Sequence, residues 1–197
     1  MNDLRPNTVT ISFTGHRPQK VEHGWRDYSA WKNGSAVSVW SELEETLERR
    51  LYRIIEDHSP DTTFVLRSGL ALGGDTVWAR VITRAKREFP SHNVVFEAHV
   101  PCLGQESRWP SQDQELYRAL LSSADGVILY AKSYNASCIR ERNAGLIQNS
   151  DILFAFWAGK PSGTSQTVNQ FKRANKAGTL FQIDPLNPTT ISPLPFS

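Results

Sequence analysis

The strongest constraint on the fold of this chain is the alternation of short apolar runs with longer stretches of helical periodicity. Short apolar runs that end at Gly, Pro or Asp are typical of buried strands. The alternation of such strands with helices predicts an α/β fold of the Rossmann-like type, a mostly parallel sheet with helices on both faces. The predicted strands are Val9–Phe13, Phe64–Leu66, Val94–Val100, Gly126–Tyr130, Asp151–Trp157 and Thr179–Ile183.

Helices are predicted between these strands, and the clearest runs from about Val39 to Asp57 with leucines and isoleucines at helical spacing. The others are expected at about Asp75–Glu88, Gln112–Ser123, Ile139–Gln148 and from the 158–164 loop to about Ala177. Residues 19–38 are expected to form a loop rich in Gly and Trp. We expect one domain over residues 1–184 and an extended, proline-containing tail over residues 185–197.

Composition excludes several classes of protein. The net charge is +2 and the basic residues are scattered, so no nucleic-acid-binding stripe is readable. Cys102 and Cys138 are far apart in sequence and lack metal-ligand spacing, so we expect no metal and a reduced, cytoplasmic setting. No apolar run approaches the roughly 20 residues of a membrane-spanning helix. We expect a soluble protein that has no membrane partner and no cofactor.

Glycine-containing turns follow two of the predicted strands, at the sheet edge where ligands of such folds bind. One contributes Ser68, Gly69, Gly73, Gly74 and Asp75, where helix-start N–H groups suit a phosphate. A packing turn with Asp75 as N-cap is an equal alternative. The other contributes Gly159, Ser162, Gly163 and Thr164, while Lys160 is expected to be a solvated loop residue.

Three further segments carry candidate site residues. Thr14–Pro18 offers Gly15, a histidine at His16 and the planar guanidinium of Arg17, for which function is favoured over a plain exit turn. Gly104–Trp109 offers Gln105, Glu106 and Trp109 as a base or ribose pocket, or else a surface loop with Trp109 on the core. Arg140–Asn143 reads from spacing alone as a solvated helix end. We find no Ser/His/Asp triad and no Walker motif.

The motifs Phe13–Pro18, Ser68–Asp75, Gly104–Gln105 with Trp109, and Ala124–Asp125 together resemble the YpsA-like family of the SLOG superfamily of Rossmann-like domains. The resemblance extends over roughly residues 9–180. The superfamily also contains the Lonely guy phosphoribohydrolases and the DNA-processing protein A domain. The resemblance implies a nucleotide-type ligand and a homodimer, but it does not define one activity.

Two segments resemble the signature of the phosphoribohydrolases. Glu141–Asn143 is similar to their Glu-Arg-Lys segment, which implies that Arg142 and Asn143 lie in the pocket. Pro161–Thr167 is loosely similar to their Pro-Gly-Gly-x-Gly-Thr-x-x-Glu loop, but Thr167 stands where the catalytic Glu is expected. A carboxylate stabilises the oxocarbenium-like state of glycosidic cleavage, so its absence favours binding without turnover.

Two functions are therefore expected. The first is a sensor or binding protein for a nucleotide or nucleotide-derived molecule, which has Arg17 and Arg142 on the phosphate. The alternative is a hydrolase of the N-glycosidase type, which has Arg142, Asp75 and Glu106 as catalytic residues. A DNA-binding domain ranks lowest because the chain is nearly neutral.

Overall fold

The computed structural model describes residues 7–175 and 177–195, and its centre is a seven-stranded sheet of order β4-β3-β2-β1-β5-β6-β7. Neighbouring strands are parallel except β6 and β7, which are antiparallel. This confirms the Rossmann-like, mostly parallel α/β fold. The strands are β1 Thr8–Gly15, β2 Thr63–Ser68, β3 Asn93–Cys102, β4 Gly126–Ala131, β5 Ile152–Phe156, β6 Thr179–Asp184 and β7 Asn187–Pro193.

Six α-helices and a short 3-10 helix at Pro18–Lys20 are found among the described residues. The chain moves outward from central β1 to β4 and then returns to place β5 on the other side of β1. This reversal of strand order opens a crevice at the carboxyl ends of β1 and β5. The helices are α1 Gly24–Lys32, α2 Val39–Glu56, α3 Gly74–Glu88, α4 Ser111–Ser122, α5 Cys138–Ile147 and α6 Gly163–Ala174.

The sheet separates two apolar clusters, because alternate side chains of a strand point to opposite faces. In β5, Leu153 and Ala155 belong to a smaller cluster with Phe171 of α6. Phe154 and Phe156 belong to the larger cluster, which includes the buried side chains of α2 and α3. The helices therefore lie on both faces of the sheet, as the sequence predicts.

The prediction of a loop over residues 19–38 is wrong, because this segment contains helix α1. Tyr28 and Trp31 lie one turn apart and are buried in the larger cluster. The Trp31 indole N–H donates to Glu44 of α2 at 2.8 Å, and the Arg80 guanidinium lies 4.5 Å from the centre of the Trp31 ring. Aromatic burial thus stabilises a short helix where the glycine and tryptophan content suggested a loop.

The prediction that the sheet ends at Ile183 is also wrong. Strand β7 returns antiparallel to β6, and Ile191 lies opposite Ile183. Its prolines are compatible with a strand because β7 is at the edge of the sheet.

Residues 1–6, 176, 196 and 197, which belong to the expected domain and tail, lie outside the described residues. Within the described ranges, no helix is both long enough and apolar enough to span a membrane.

Candidate functional site

A cavity of about 860 Å³ lies in the crevice between the carboxyl ends of β1 and β5. Its walls come from the loops after β1 and β5, from the start of α6, and from the turn between β6 and β7. Several of the predicted site residues line it, namely Gly15, His16, Arg17, Asp75, Arg142, Asn143, Ser162, Gly163 and Thr164. The predicted residues of the loop after β1, of α5 and of the start of α6 therefore meet in one site.

The start of α6 presents unpaired backbone donors to this cavity. Ser162 caps the helix: its hydroxyl accepts from the Ser165 N–H at 3.1 Å, and the Ser165 hydroxyl accepts from the Ser162 N–H at 2.7 Å. The N–H groups of Gly163 and Thr164 belong to the first turn, where the helix itself offers no acceptor. Together with the positive end of the helix dipole, they suit an anion.

His16 joins the loop after β1 to the elements that follow β5. Its Nε2 accepts from the Ala158 N–H at 3.5 Å, so the ring proton lies on Nδ1, 3.4 Å from the Thr164 hydroxyl oxygen. Burial and then the nearby Lys20 lower the pKa of His16 below its ordinary value. The imidazole is therefore neutral at pH 7 and positions the start of α6.

The inner wall of the cavity holds a buried ion pair. Arg142 Nη1 of α5 donates to Asp75 Oδ2 at the start of α3, at 3.1 Å. Burial raises the pKa of the Asp75 carboxyl, and the Arg142 and Arg17 guanidiniums oppose that rise. Within the described structure, Arg142 Nε is buried without a hydrogen-bond partner.

Ser68 and Gly69 support this ion pair from behind, and neither lines the cavity. A Cβ on Gly69 would lie 1.6 Å from Arg142 Nη1 and 2.7 Å from Asp75 Oδ2, so only glycine leaves room for the guanidinium. The Ser68 hydroxyl donates to the backbone carbonyl of Asp75 at 2.8 Å. These two residues therefore hold the ion pair in place and do not reach the cavity themselves.

The Gly73–Gly74 turn packs against the loop after β1. Its Gly74 N–H donates to the His16 carbonyl at 3.2 Å, and a Cβ on Gly73 would lie 2.7 Å from the same oxygen. Gly73 also has a φ of +97°, which favours glycine. The sequence left open whether this turn binds a phosphate or serves packing, and the geometry supports the packing role. Gly159, at a φ of +77°, also lies outside the cavity wall.

The loop at 104–109 does not reach the cavity. The Trp109 ring packs edge-on against Tyr117 at 5.5 Å, and Trp109 is partly buried against the larger apolar cluster. The Glu106 carboxylate lies 4.0 Å from Arg118, and the Gln105 side chain lies near the Tyr117 hydroxyl. The structure therefore brings Gln105, Glu106 and Trp109 together with α4.

Other residues line the cavity without having been singled out in the sequence. They include Lys20, Glu22, Val39 and the β6–β7 turn at 184–186. The sequence did not indicate residues 184–186 as part of the site, because the segment that forms β7 was predicted to be an extended tail.

Thr167 is buried and donates to the Gly163 carbonyl at 3.2 Å, so its position supplies no carboxylate. The described residues contain no group of three or more His, Cys, Asp and Glu side chains that could hold a metal ion.

Comparison with known proteins gives one family. The model described as the "YspA SLOG family" matches residues 31–190. A UPF0398 protein of Bacillus pumilus is 28% identical over 156 residues, which are 78% of this chain and 76% of that protein. A UPF0398 protein of Brevibacillus brevis is 25% identical over 72% of this chain and 75% of its own length. A third, from Bacillus velezensis, is 25% identical over 81% of both chains.

Proposed function

Since the chain belongs to the YpsA family of SLOG proteins, we propose that it is a sensor or binding protein for a nucleotide or nucleotide-derived molecule. The ligand lies in the cavity at the carboxyl ends of β1 and β5. The observation that carries this proposal is the start of α6, where Gly163 and Thr164 line the same cavity as Arg17. Such a pairing of helix start and guanidinium suits a phosphate.

The electrostatics of the cavity support an anionic group at this end. Arg17, Lys20 and Lys160 line the wall, and Arg17 is exposed and free to fork onto phosphate oxygens. Lys160, expected to be solvated, thus lies where its charge adds to theirs. Arg142 also lines the cavity, where its charge is partly offset by its pairing with Asp75.

The remaining side chains of the cavity wall suit the sugar and the base of such a ligand. Val21, Val39 and Leu186 give it an apolar wall for the flat face of a base. Glu22 and Asp184 are acceptors for ribose hydroxyls. A volume of about 860 Å³ lies within the roughly 300–1,000 Å³ that is usual for small-molecule sites.

The experiment is calorimetric titration with AMP, ADP, ADP-ribose and NAD⁺. We expect at least one of them to bind, and Arg17→Ala to weaken that binding about tenfold or more, because a charge-assisted hydrogen bond contributes about 1.5–3 kcal/mol. Arg118→Ala is the matched control: it removes an exposed guanidinium of α4 that lies away from the cavity. No binding across the panel, or equal affinity in Arg17→Ala, would contradict the proposal.

A second candidate is a nucleotide N-glycosidase. The observation in its favour is Asp75, a carboxyl that lines the cavity, whose pKa burial raises, beside Arg142. A carboxyl in such a place is the type of group that acts as general acid on a departing base, a role that requires Asp75 to hold a proton and the ion pair with Arg142 to open. Two observations argue against a glycosidase: Asp75 is paired with Arg142, and position 167 is a threonine rather than a carboxylate. Release of free base by the wild type that is lost in Asp75→Asn would replace the sensor proposal with this one.

We also propose that the protein acts in the cytoplasm, where free nucleotides are held, and that it forms a homodimer. The homodimer follows from the resemblance to SLOG proteins. It does not depend on the ligand, and titration with nucleotides does not test it.

A further inference from the structure

The two cysteines of the chain, Cys102 and Cys138, are distant in sequence, but their thiols lie near each other in the fold. Cys102 ends β3 and Cys138 begins α5, and α5 packs against β3. Both are free and buried, and neither lines the ligand cavity. Burial and then the neighbouring Cys138 thiol raise the pKa of the Cys102 thiol above its ordinary value. The fold therefore forms a pair of thiols that the sequence spacing does not indicate.

Asn135 fixes the position of the Cys138 side chain. The Cys138 thiol donates to the Asn135 carbonyl at 3.2 Å, and the Cys138 N–H donates to Asn135 Oδ1 at 2.8 Å. The same side-chain oxygen accepts from the N–H and the hydroxyl of Ser137, at 2.9 and 3.0 Å. The loop before α5 is therefore tied to the first turn of the helix, with Cys138 on its buried side.

Both thiols lie just beneath the loops at the carboxyl edge of the sheet. Cys102 is held in the ladder between β3 and β4, where it lies opposite Ala131, and the next two residues, Leu103 and Gly104, are exposed. Residues 132–136, shortly before Cys138, are exposed as well. Surface loops open locally at a much smaller cost in free energy than a core does. A small reagent therefore reaches the thiols through loop opening, without unfolding of the domain.

We propose that Cys102 and Cys138 form a reversible intramolecular disulfide by exchange with a low-molecular-weight disulfide such as oxidised glutathione. The sulfur of one cysteine loses its proton, attacks the small disulfide and forms a mixed disulfide, and one small thiol leaves. The sulfur of the other cysteine then attacks the protein sulfur of the mixed disulfide and releases the second small thiol. The two protein thiols thus lose two electrons and two protons, and the small disulfide gains them as two thiols.

This disulfide acts on the helix that forms one wall of the ligand cavity. Ile139, Arg142 and Asn143 of α5 line that cavity, and Cys138 begins the same helix. A bond from Cys138 to the end of β3 restricts the start of α5 relative to the sheet. It also closes residues 103–137 into a loop, which lowers the entropy of the unfolded chain. We therefore expect the oxidised protein to be more stable than the reduced protein, whether or not a nucleotide binds.

Equilibration of the whole chain in glutathione redox buffers tests the proposal, with acid quenching, alkylation of free thiols and mass spectrometry. We expect the equilibrium constant for the intramolecular disulfide to be about tenfold or more larger in the folded protein than in the same chain in urea, because the fold holds the two sulfurs together. Oxidation should raise Tm by about 5 °C or more, and dithiothreitol should reverse it. Cys102→Ser and Cys138→Ser are the controls, and each should give only a mixed disulfide with glutathione.

Three results would overturn the proposal. The first is an equilibrium constant in the folded protein that is equal to or smaller than that in urea, because the two thiols would then serve only as small apolar side chains. The second is oxidation that stops at mixed disulfides or joins two chains. The third is an oxidised protein whose Tm equals or lies below that of the reduced protein, because the bond would then form only in a distorted fold.

Discussion

Arg142 occupies a narrow space in the wall of the cavity. Its guanidinium passes over the bare Cα of Gly69 to reach Asp75. The pair is buried, so the loss of either partner leaves a charge without compensation, which costs about 3–5 kcal/mol. The ion pair therefore links the stability of α3 and α5 to the shape of the site.

Gly69→Ala tests this close approach. We expect the free energy of unfolding to fall by about 2 kcal/mol or more, because the new methyl group overlaps Arg142 Nη1 and displaces it from Asp75. Urea denaturation measures the change. Gly126→Ala is the matched control, since a Cβ there meets nothing within 4 Å. Equal stability of the two variants would show that Arg142 does not occupy this position.

The sequence could predict some site residues and not others for a simple reason. Gly15, His16, Arg17 and Thr164 follow directly after strands or begin a helix, so their place at the sheet edge comes from topology alone. Gly69 was singled out as a phosphate-binding glycine, whereas its contact is with a side chain from α5. No local pattern shows which distant side chain fills the space above a glycine.

At the scale of elements, α1 is held by its aromatic face. Trp31→Ala is expected to lower the free energy of unfolding by about 3–5 kcal/mol, because it removes a buried indole and its hydrogen bond to Glu44. Trp25→Ala, in the same helix but 47% exposed, is expected to change it by less than about 1 kcal/mol. Guanidinium denaturation compares them. Similar losses in both variants would mean that α1 does not pack as a helix on α2.

Strands β3 and β4 are joined by a buried polar link that responds to pH. His99 Nδ1 lies 2.8 Å from the Tyr130 hydroxyl, near Arg67, Glu97 and Arg142. Burial and the neighbouring Arg67 lower the pKa of His99 from 6.5 to about 4, although Glu97 opposes the shift. The unfolded chain therefore takes up a proton between these two values that the folded protein does not.

Stability should accordingly be complete above pH 6.5 and fall by about 3 kcal/mol as the pH is lowered to about 4. We expect His99→Gln to lose much of this acid-induced slope, measured as the urea midpoint at a series of pH values. His23→Gln, which alters an exposed imidazole, is the control and should keep the slope. An unchanged slope in His99→Gln would remove His99 as its source.

At the scale of the whole molecule, the fold class was readable because buried parallel strands and amphipathic helices leave strong periodic patterns. The order of the strands in the sheet was not readable from the sequence. The site needs β5 beside β1, and it needs β7 to turn back so that Pro185 and Leu186 reach the cavity. Both depend on packing between residues that are distant in sequence, and β7, with its prolines, has no strand-like pattern of its own.

A ligand that binds this cavity contacts loops from both halves of the sheet, so it should stabilise the whole fold. At a hundred times its dissociation constant, a ligand adds about 2.7 kcal/mol, which corresponds to a rise in Tm of about 5–10 °C for a chain of this size. Thermal unfolding with and without the best nucleotide of the panel measures this. The rise should be absent when the ligand is replaced by its nucleoside, which lacks the phosphate.

The central claim is that the phosphate of a nucleotide-type ligand lies on the start of α6. Amide chemical shifts in a ¹⁵N-labelled sample, recorded while ADP-ribose or the best ligand of the panel is added, test it most directly. We expect the largest changes at the N–H groups of Gly163 and Thr164. Changes centred on Gly73 and Gly74 or on the Trp109 indole, with Gly163 and Thr164 unmoved, would contradict the claim.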